Sequence, residues 1–582
     1  MPEKATTVTD PPTAPAGSAT ARRRSGDLAR LGSVAAAYGL VQLLLVVPGT
    51  GMGWDETVYV SQVSPDAPAA YFSAPRARGI TYLVAPVVAI TSSVAALRVY
   101  LAVLAAAGLL LSLWVWRGLL PTRVLALTGG LFAGLWITVF YGPQAMPNLW
   151  VAFAALFTVG CFLRAARNPE DRLAPVGVAA GVAFAALMRP GDAVWLVLPL
   201  LCAAVAVPPW RRAVLPAALA VGLVVGGAEW AVEAHLRYGG LLPRLRRASE
   251  IQGGLGWNPA FIDQLRSLDG RTLCRPCDVP WSRPVTGLWW FALPPLAAGG
   301  LFAAYRTGRG RLVAVPTAVA LFLAAPYLLM IGYAAPRFLL PAYALLAIPV
   351  ALCLDRLFAA SRTRPLALTA LCAALAAHLA LQFAVAGAAA ARSRADRAAF
   401  TAVAAELHRL GVRPPCVLSG TEAVRAAFAT GCAARQVYGG HDGSITAGDL
   451  ASLARTRPTA VLVSGSSPAP RWAHDWHPHL LPEVPGHPAY RAHLAPATLP
   501  APPGGPGRRR SGTPSRPSTP CRSMPDPAWP TPGRPRDGSW TDGWTQKPET
   551  DHLTAGSVSV RRSGAQHGIG LRDAVQPLRL LA

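Results

Sequence analysis

Leu31-Gly-Ser-Val-Ala-Ala-Ala-Tyr-Gly-Leu-Val-Gln-Leu-Leu-Leu-Val-Val-Pro-Gly49 carries no charge over 19 residues and follows Arg22, Arg23, Arg24 and Arg30. A hydrocarbon core ~30 Å thick needs about 20 apolar helical residues at ~1.5 Å each. The stretch therefore reads as a membrane span entered from a basic, cytoplasmic side. Pro48-Gly-Thr-Gly-Met-Gly53 offers no small-x-small cleavage site, so the span reads as an uncleaved signal anchor. The acidic pair of Gly51-Met-Gly-Trp-Asp-Glu-Thr-Val-Tyr59 then falls just beyond the far membrane face, at Asp55 and Glu56.

The same pattern repeats along the chain. Hydrophobic residues make up 52% of 582 positions and charged residues 14%, in long uncharged runs separated by arginine clusters. This is the composition of a polytopic α-helical membrane protein; a β-barrel would alternate apolar and polar positions instead. The net charge of +25 is almost wholly arginine, with lysine only at Lys4 and Lys547. Its place in loops and tail argues for membrane orientation and against nucleic-acid binding.

Counting charge-bounded runs adds spans near 99–116, 124–141, 149–163, 173–188, 193–208, 213–230, 285–305, 312–333, 338–354 and 365–388, which with the first makes eleven. Ile80 to Val94 is apolar but short, and counting it would place the later arginine clusters outside; it is expected to be interfacial or re-entrant. Parity then leaves the C-terminal region outside the cytoplasm.

The domain layout follows. Residues 1–30 are expected to be a disordered cytoplasmic N-terminus, and 31–391 a transmembrane domain with outer loops at 50–98 and 233–284. Residues 392–499 read as a small extracytoplasmic α/β domain with a parallel sheet: helices at 396–410, 421–429 and 446–456, and strands at Cys416-Val-Leu-Ser-Gly420, near Gln436 and at Thr459 to Ser464. Residues 500–582, rich in Pro, Arg and Gly, are expected to be a disordered tail. Cys274 and Cys277 read as a local disulfide rather than a zinc site, since no second Cys or His pair lies near. Cys416 and Cys432 could form a second disulfide or remain thiols. His378, within the last span, reads as a packing residue.

Transfer from a polyprenyl-phosphate carrier requires a carboxylate to take the acceptor proton and cations to balance the departing phosphate, all at one membrane face. The outer side supplies Asp55, Glu56 and Asp192 as acids and Arg76, Arg78, Arg189 and Arg337 as cations. Arg189 and Arg337 adjoin prolines that fix helix ends; they bind phosphate or reach lipid headgroups. For Arg76 and Arg78 headgroup contact is the plainer reading. Trp54, Tyr59 and Tyr333 read first as interfacial aromatics, with Tyr333 kept as a binding candidate.

Trp54-Asp55-Glu56 after the first span, Leu187-Met-Arg189-Pro190-Gly-Asp192 between two spans, and Ala335-Pro-Arg337-Phe-Leu-Leu-Pro341 at the start of a late span resemble the GT-C glycosyltransferases. The nearest groups are the protein O-mannosyltransferase and aminoarabinose-transferase types. The resemblance, over about residues 31 to 390, implies a polyprenyl-phosphate-linked sugar donor, a hexosyl or pentosyl group transferred with inversion, and an extracytoplasmic glycan, lipid or protein acceptor. It implies Asp55 as base and Glu56 as a second polar or metal-related contact. Where many relatives have a further acidic residue, this chain offers Gln144 and Asn148, so a divalent cation is possible but no metal ligand is assigned. A lipid or solute transporter of the cell envelope is the alternative reading. Ionisable residues near the bilayer midplane and repeated halves would mark it.

Overall fold

The computed structural model describes residues 16–498 except 276, 278–279, 282, 438–443, 485 and 487–488. The expected tail at 500–582 lies outside the described residues, as do residues 1–15. Among the described residues, eight helices are long and apolar enough to cross a membrane: Ser25–Leu45, Val94–Trp114, Pro147–Arg167, Val214–Tyr238, Pro284–Arg306, Gly310–Leu329, Pro336–Ser361 and Pro365–Arg409. Leu173–Met188 and Pro190–Ala206 are apolar but shorter, about 24–26 Å at helical rise. Gly79–Val88, at about 15 Å, is too short to cross.

In the helical region three sequence expectations change. The expected disordered segment 1–30 is helical from residue 16, within helix Ala16–Leu45, because no proline follows Pro15 to stop the alanine- and arginine-rich stretch continuing into the span. The expected span 124–141 is broken into Thr122–Ala133 and Trp136–Tyr141 at Gly134-Leu135. Gln382 enters that break, its Oε1 accepting from the Trp136 N–H at 2.9 Å, so a donor freed at the new helix start is satisfied from a neighbouring helix. The expected boundary near 391 is no boundary in the backbone: Pro365–Arg409 is one helix of 45 residues that joins the last span to the C-terminal domain. Its junction, Ala388-Ala-Ala-Ala-Arg-Ser-Arg-Ala-Asp396, holds no Gly or Pro to end a helix.

Leu173–Met188 and Val214–Tyr238 pack closely. Gly222 and Gly226 face Ala179 and Ala183, and a Cβ at Gly222 would lie 2.6 Å from the Ala179 carbonyl oxygen. Without side chains at these two positions the backbones meet directly, the small-xxx-small geometry of membrane helices. Gly79 does the same, and a Cβ there would come within 2.7 Å of the Leu187 carbonyl carbon. This docks the segment carrying Arg76 and Arg78 on the turn that carries Arg189.

The C-terminal domain has a mixed rather than parallel sheet of five strands: β1 Val417–Gly420, β2 Ala433–Ala434, β3 Thr459–Ser464, β4 His477–Leu480 and β5 Tyr490–Leu494, in the order β2-β1-β3-β5-β4. The first three are parallel, as expected; β5 pairs antiparallel with β3 (Leu462 opposite Ala492) and with β4. The strand expected near Gln436 is at 433–434. Helices Ala423–Thr430 and Ala447–Ala454 lie where helices were expected. Disulfides join Cys274 to Cys277 and Cys416 to Cys432.

Candidate active site

Gly53 caps a short helix, Trp54–Ser61, that holds Asp55 and Glu56 in its first turn. Neighbours in sequence, the two carboxylates point to different surroundings. Glu56 is buried and faces Arg98, also buried: Oε1 accepts from Nη1 at 2.5 Å and Oε2 from Nη2 at 2.8 Å. Oε1 also accepts from the Ala145 N–H at 2.7 Å and Oε2 from the Gly53 N–H at 2.9 Å. Arg98 further donates to the carbonyls of Gly51 and Pro143. The pair therefore ties the helix start, the first-span exit and the 143–145 turn into one rigid unit, as a fully hydrogen-bonded buried ion pair can. Arg98 was not among the candidate site residues read from sequence. A lone arginine at the head of an apolar run is the signal that it needs a buried partner.

Asp55 is part-exposed and bridges two cations. Oδ1 lies 2.6 Å from Arg76 Nη2 and Oδ2 lies 2.9 Å from Arg337 Nη2. Arg76 also donates to Ser73 Oγ and sits 5.1 Å from the Trp54 ring. Arg337 starts its helix in the 3-10 turn Pro336–Leu339. It donates to the Thr272 carbonyl at 2.7 Å, while its buried Nε has no protein acceptor. Arg189 occupies the joint between two helices, where Pro190 disfavours helical geometry and its φ is −155°. Its Nε is 2.9 Å from Asp192 Oδ2 and its Nη2 donates to the Tyr327 hydroxyl at 2.7 Å, which in turn donates to Asp192 Oδ1. Asp192 thus orients Arg189. Burial pushes the Tyr59 phenol, beside this group, above its ordinary pKa.

Two cavities meet at Asp55, Arg337, Trp54 and Glu422. The larger, about 620 Å³, also has Glu56, Tyr141, Gln144, Arg271, Arg392, Asp396 and Arg425 in its wall. The smaller, about 430 Å³, also has Tyr59, Arg76, Arg189, Arg275 and Tyr333. The smaller is cationic, with four guanidiniums against two carboxylates. In the larger, four carboxylates face four guanidiniums. An anion is favoured in the first and a neutral polar molecule in the second.

The fold therefore brings Asp55, Glu56, Arg76, Arg189, Arg337, Gln144 and Tyr333 to the cavities. Arg78, Asn148 and Asp192 are not in the cavity walls. Arg78 turns away to Glu233, 2.7 Å from its Oε1, and to Glu229 at 3.5 Å. Buried Arg244 completes that group through Glu233 Oε2 at 2.9 Å and holds the Ala74 and Arg76 carbonyls, so this cluster shapes the loop from which Arg76 reaches Asp55. Asn148 is buried with neither side-chain polar atom hydrogen-bonded. Arg275 was missed by sequence because it lay within a motif read only for its cysteines. It stacks 4.7 Å from the Tyr333 ring, on a segment pinned by mutual backbone hydrogen bonds between Cys274 and Ala334. Among the described residues no group of three or more His, Cys, Asp or Glu is placed to hold a metal ion. The two first-turn carboxylates each face guanidiniums, so the residues present do not fit a divalent cation.

No protein-family model matches this chain, and no curated protein matches it. Among solved structures it is similar to ArnT from Cupriavidus metallidurans bound to undecaprenyl phosphate, at TM-score 0.56 and 14% identity over 82% of this chain and 100% of that one. The apo state of the same protein gives 0.57 and 13% over the same shares. The chain shares the fold of this ArnT structure. A weaker likeness, TM-score 0.39 and 14% identity over 69% of this chain and 64% of that one, is to the archaeal oligosaccharyltransferase AglB from Archaeoglobus fulgidus in complex with an inhibitory peptide and a dolichol-phosphate.

Proposed function

We propose that this chain is a multi-pass membrane glycosyltransferase that moves a hexosyl or pentosyl group, with inversion, from a polyprenyl-phosphate carrier to an acceptor outside the cytoplasm. The carrying observation is the position of Asp55, shared by Arg76 and Arg337 in the wall between a cationic and a charge-balanced cavity. The phosphate of the donor belongs in the cationic cavity, held by Arg76, Arg189, Arg275 and Arg337. The acceptor hydroxyl approaches from the larger one. As its oxygen bonds to the anomeric carbon, the bond from that carbon to the phosphate oxygen breaks, the polyprenyl phosphate leaves with the electron pair, and the hydroxyl proton passes to Asp55.

The resting ion pairs fit this order of events. Both oxygens of Asp55 are engaged by guanidiniums at rest; donor phosphate competes for Arg76 and Arg337 and releases the carboxylate. Arrival of donor therefore arms the base. Glu56, fully hydrogen-bonded to Arg98 and two backbone N–H groups, serves as the rigid mount. No step passes through a metal. The likeness to a structure bound to undecaprenyl phosphate supports the lipid carrier. We place the site on the extracytoplasmic side and keep eleven crossings, taking Thr122–Ala133 with Trp136–Tyr141 as one broken crossing beside Leu173–Met188 and Pro190–Ala206.

The test is a transfer assay in vesicles with a panel of polyprenyl-phosphate-linked sugars, comparing wild type with Asp55→Asn. Donor-dependent product from wild type, lost in the variant, supports the reading. Cargo movement across the membrane without any product would instead establish a transporter.

A further inference from the structure

The chain leaves β1 for β2 on one side and, after the second helix, returns to β3 on the other. The carboxyl end of β1 is thus a topological switch point, where open α/β sheets place a ligand-binding crevice. Here that crevice opens onto the membrane domain. Gly420, Thr421 and Glu422 leave β1 into the cavity walls, and Glu422 lines both cavities beside Asp55. Among the described residues Glu422 is the one non-glycine with a left-handed backbone, at φ 57°. Strain of this kind persists where the surroundings enforce it and is concentrated at ligand sites.

The carboxylate is oriented rather than loose. Glu422 Oε2 lies 2.6 Å from Arg425 Nε, and Arg425 Nη1 lies 3.2 Å from Asp396 Oδ2. Burial would lower the Arg425 pKa, but Glu422 and Asp396 outweigh it and hold the guanidinium above its ordinary value. The result is a fixed row of acceptors and donors in the larger cavity. Its charges balance: the wall carries the carboxylates of Asp55, Glu56, Asp396 and Glu422 and the guanidiniums of Arg271, Arg337, Arg392 and Arg425. Such a wall repels a net anion less than it rewards a molecule rich in hydroxyls, each of which can donate to a carboxylate and accept from an arginine. The Trp54 ring adds an apolar face.

We propose that the larger cavity binds a neutral saccharide acceptor, with Glu422 accepting hydrogen bonds from its hydroxyls and so presenting one of them to Asp55. This rests on the transferase reading and names its acceptor class. The test uses full-length protein in nanodiscs, an undecaprenyl-phosphate-linked sugar, and five acceptor probes: a mannose oligosaccharide, an arabinose oligosaccharide, an oligogalacturonate, a Ser/Thr-rich peptide and an anionic lipid. Undecaprenyl phosphate binding is measured in parallel as a separate readout of the cationic cavity. The neutral oligosaccharides should be the preferred acceptors, and Glu422→Gln should raise their KM about tenfold, the worth of one lost charged hydrogen bond. Glu422→Asn, which suits a left-handed backbone and leaves Asp396 to pair with Arg425, should fold and yet raise KM as well, separating recognition from folding. If wild type fails to bind undecaprenyl phosphate, the transferase reading and this inference fall together. If it binds, but both variants keep the wild-type KM or only peptide or lipid is glycosylated, the saccharide assignment alone falls.

Discussion

Asp55 and Glu56 differ by one backbone step and by almost everything else. The first is part-exposed between two cavities, the second buried against Arg98. Their substitutions should therefore fail differently. Asp55→Asn keeps volume and hydrogen-bonding capacity but cannot take a proton; transfer should fall by about 10²–10⁴-fold in kcat. Binding of undecaprenyl phosphate should hold or tighten, since two guanidiniums lose a competitor. Unchanged kcat in a steady-state assay would remove Asp55 from the chemistry. Glu56→Leu leaves Arg98 charged and buried without its carboxylate, at a cost of about 3–5 kcal/mol, read as a large drop in Tm. The double variant Glu56→Leu with Arg98→Met should recover much of that Tm, because both buried charges are then gone. The sequence offered both acids as one motif. Only the contacts of the 143–145 turn and Arg98 divide them into a base and a mount.

At the scale of elements, the site depends on how closely a few segments approach. Gly222 and Gly226 let Val214–Tyr238 lie against Leu173–Met188, and the first helix carries Glu229 and Glu233, which hold Arg78. Gly226→Leu would drive a side chain into the Ala183 backbone, and its cost should appear as lower Tm and a reduced yield of monodisperse protein in detergent. The repulsion is with backbone, which cannot rotate aside. The Cys416–Cys432 disulfide closes a loop of sequence separation 16 around β1 and its helix. Removing it as Cys416→Ser with Cys432→Ser should cost about 3 kcal/mol, measured as earlier thermal unfolding. Helix periodicity and the Gly-xxx-Gly spacing are visible in sequence. Which helix receives that face is not, because every neighbour is equally apolar.

For the whole molecule the prediction is one of sidedness. If the crossings are eleven and the first enters from the cytoplasm, a cysteine at exposed Asp66 reacts with a membrane-impermeant maleimide in intact cells, and one at exposed Thr363 only after permeabilisation. Reversed labelling would overturn the orientation and with it the proposed extracytoplasmic site. Chelation supplies a second check at this scale: since the first-turn carboxylates face arginines rather than a metal-ready cluster, EDTA should leave transfer unchanged.

The sequence by itself determined the helical membrane class, most of the spans, the parallel core of the C-terminal sheet and the three short stretches that carry Asp55, Arg189 and Arg337. These are legible because hydrophobic length, proline position and strand alternation act over a few neighbouring residues. Tertiary structure alone decided that Arg78 and Asn148 stand outside the cavity walls, that Arg275 and Glu422 stand within them, and that β5 reverses the sheet. Each of these is a contact between segments far apart in the chain. Charge and apolarity say that an arginine near a membrane must find a partner, and only the packing of the helices says which one it finds.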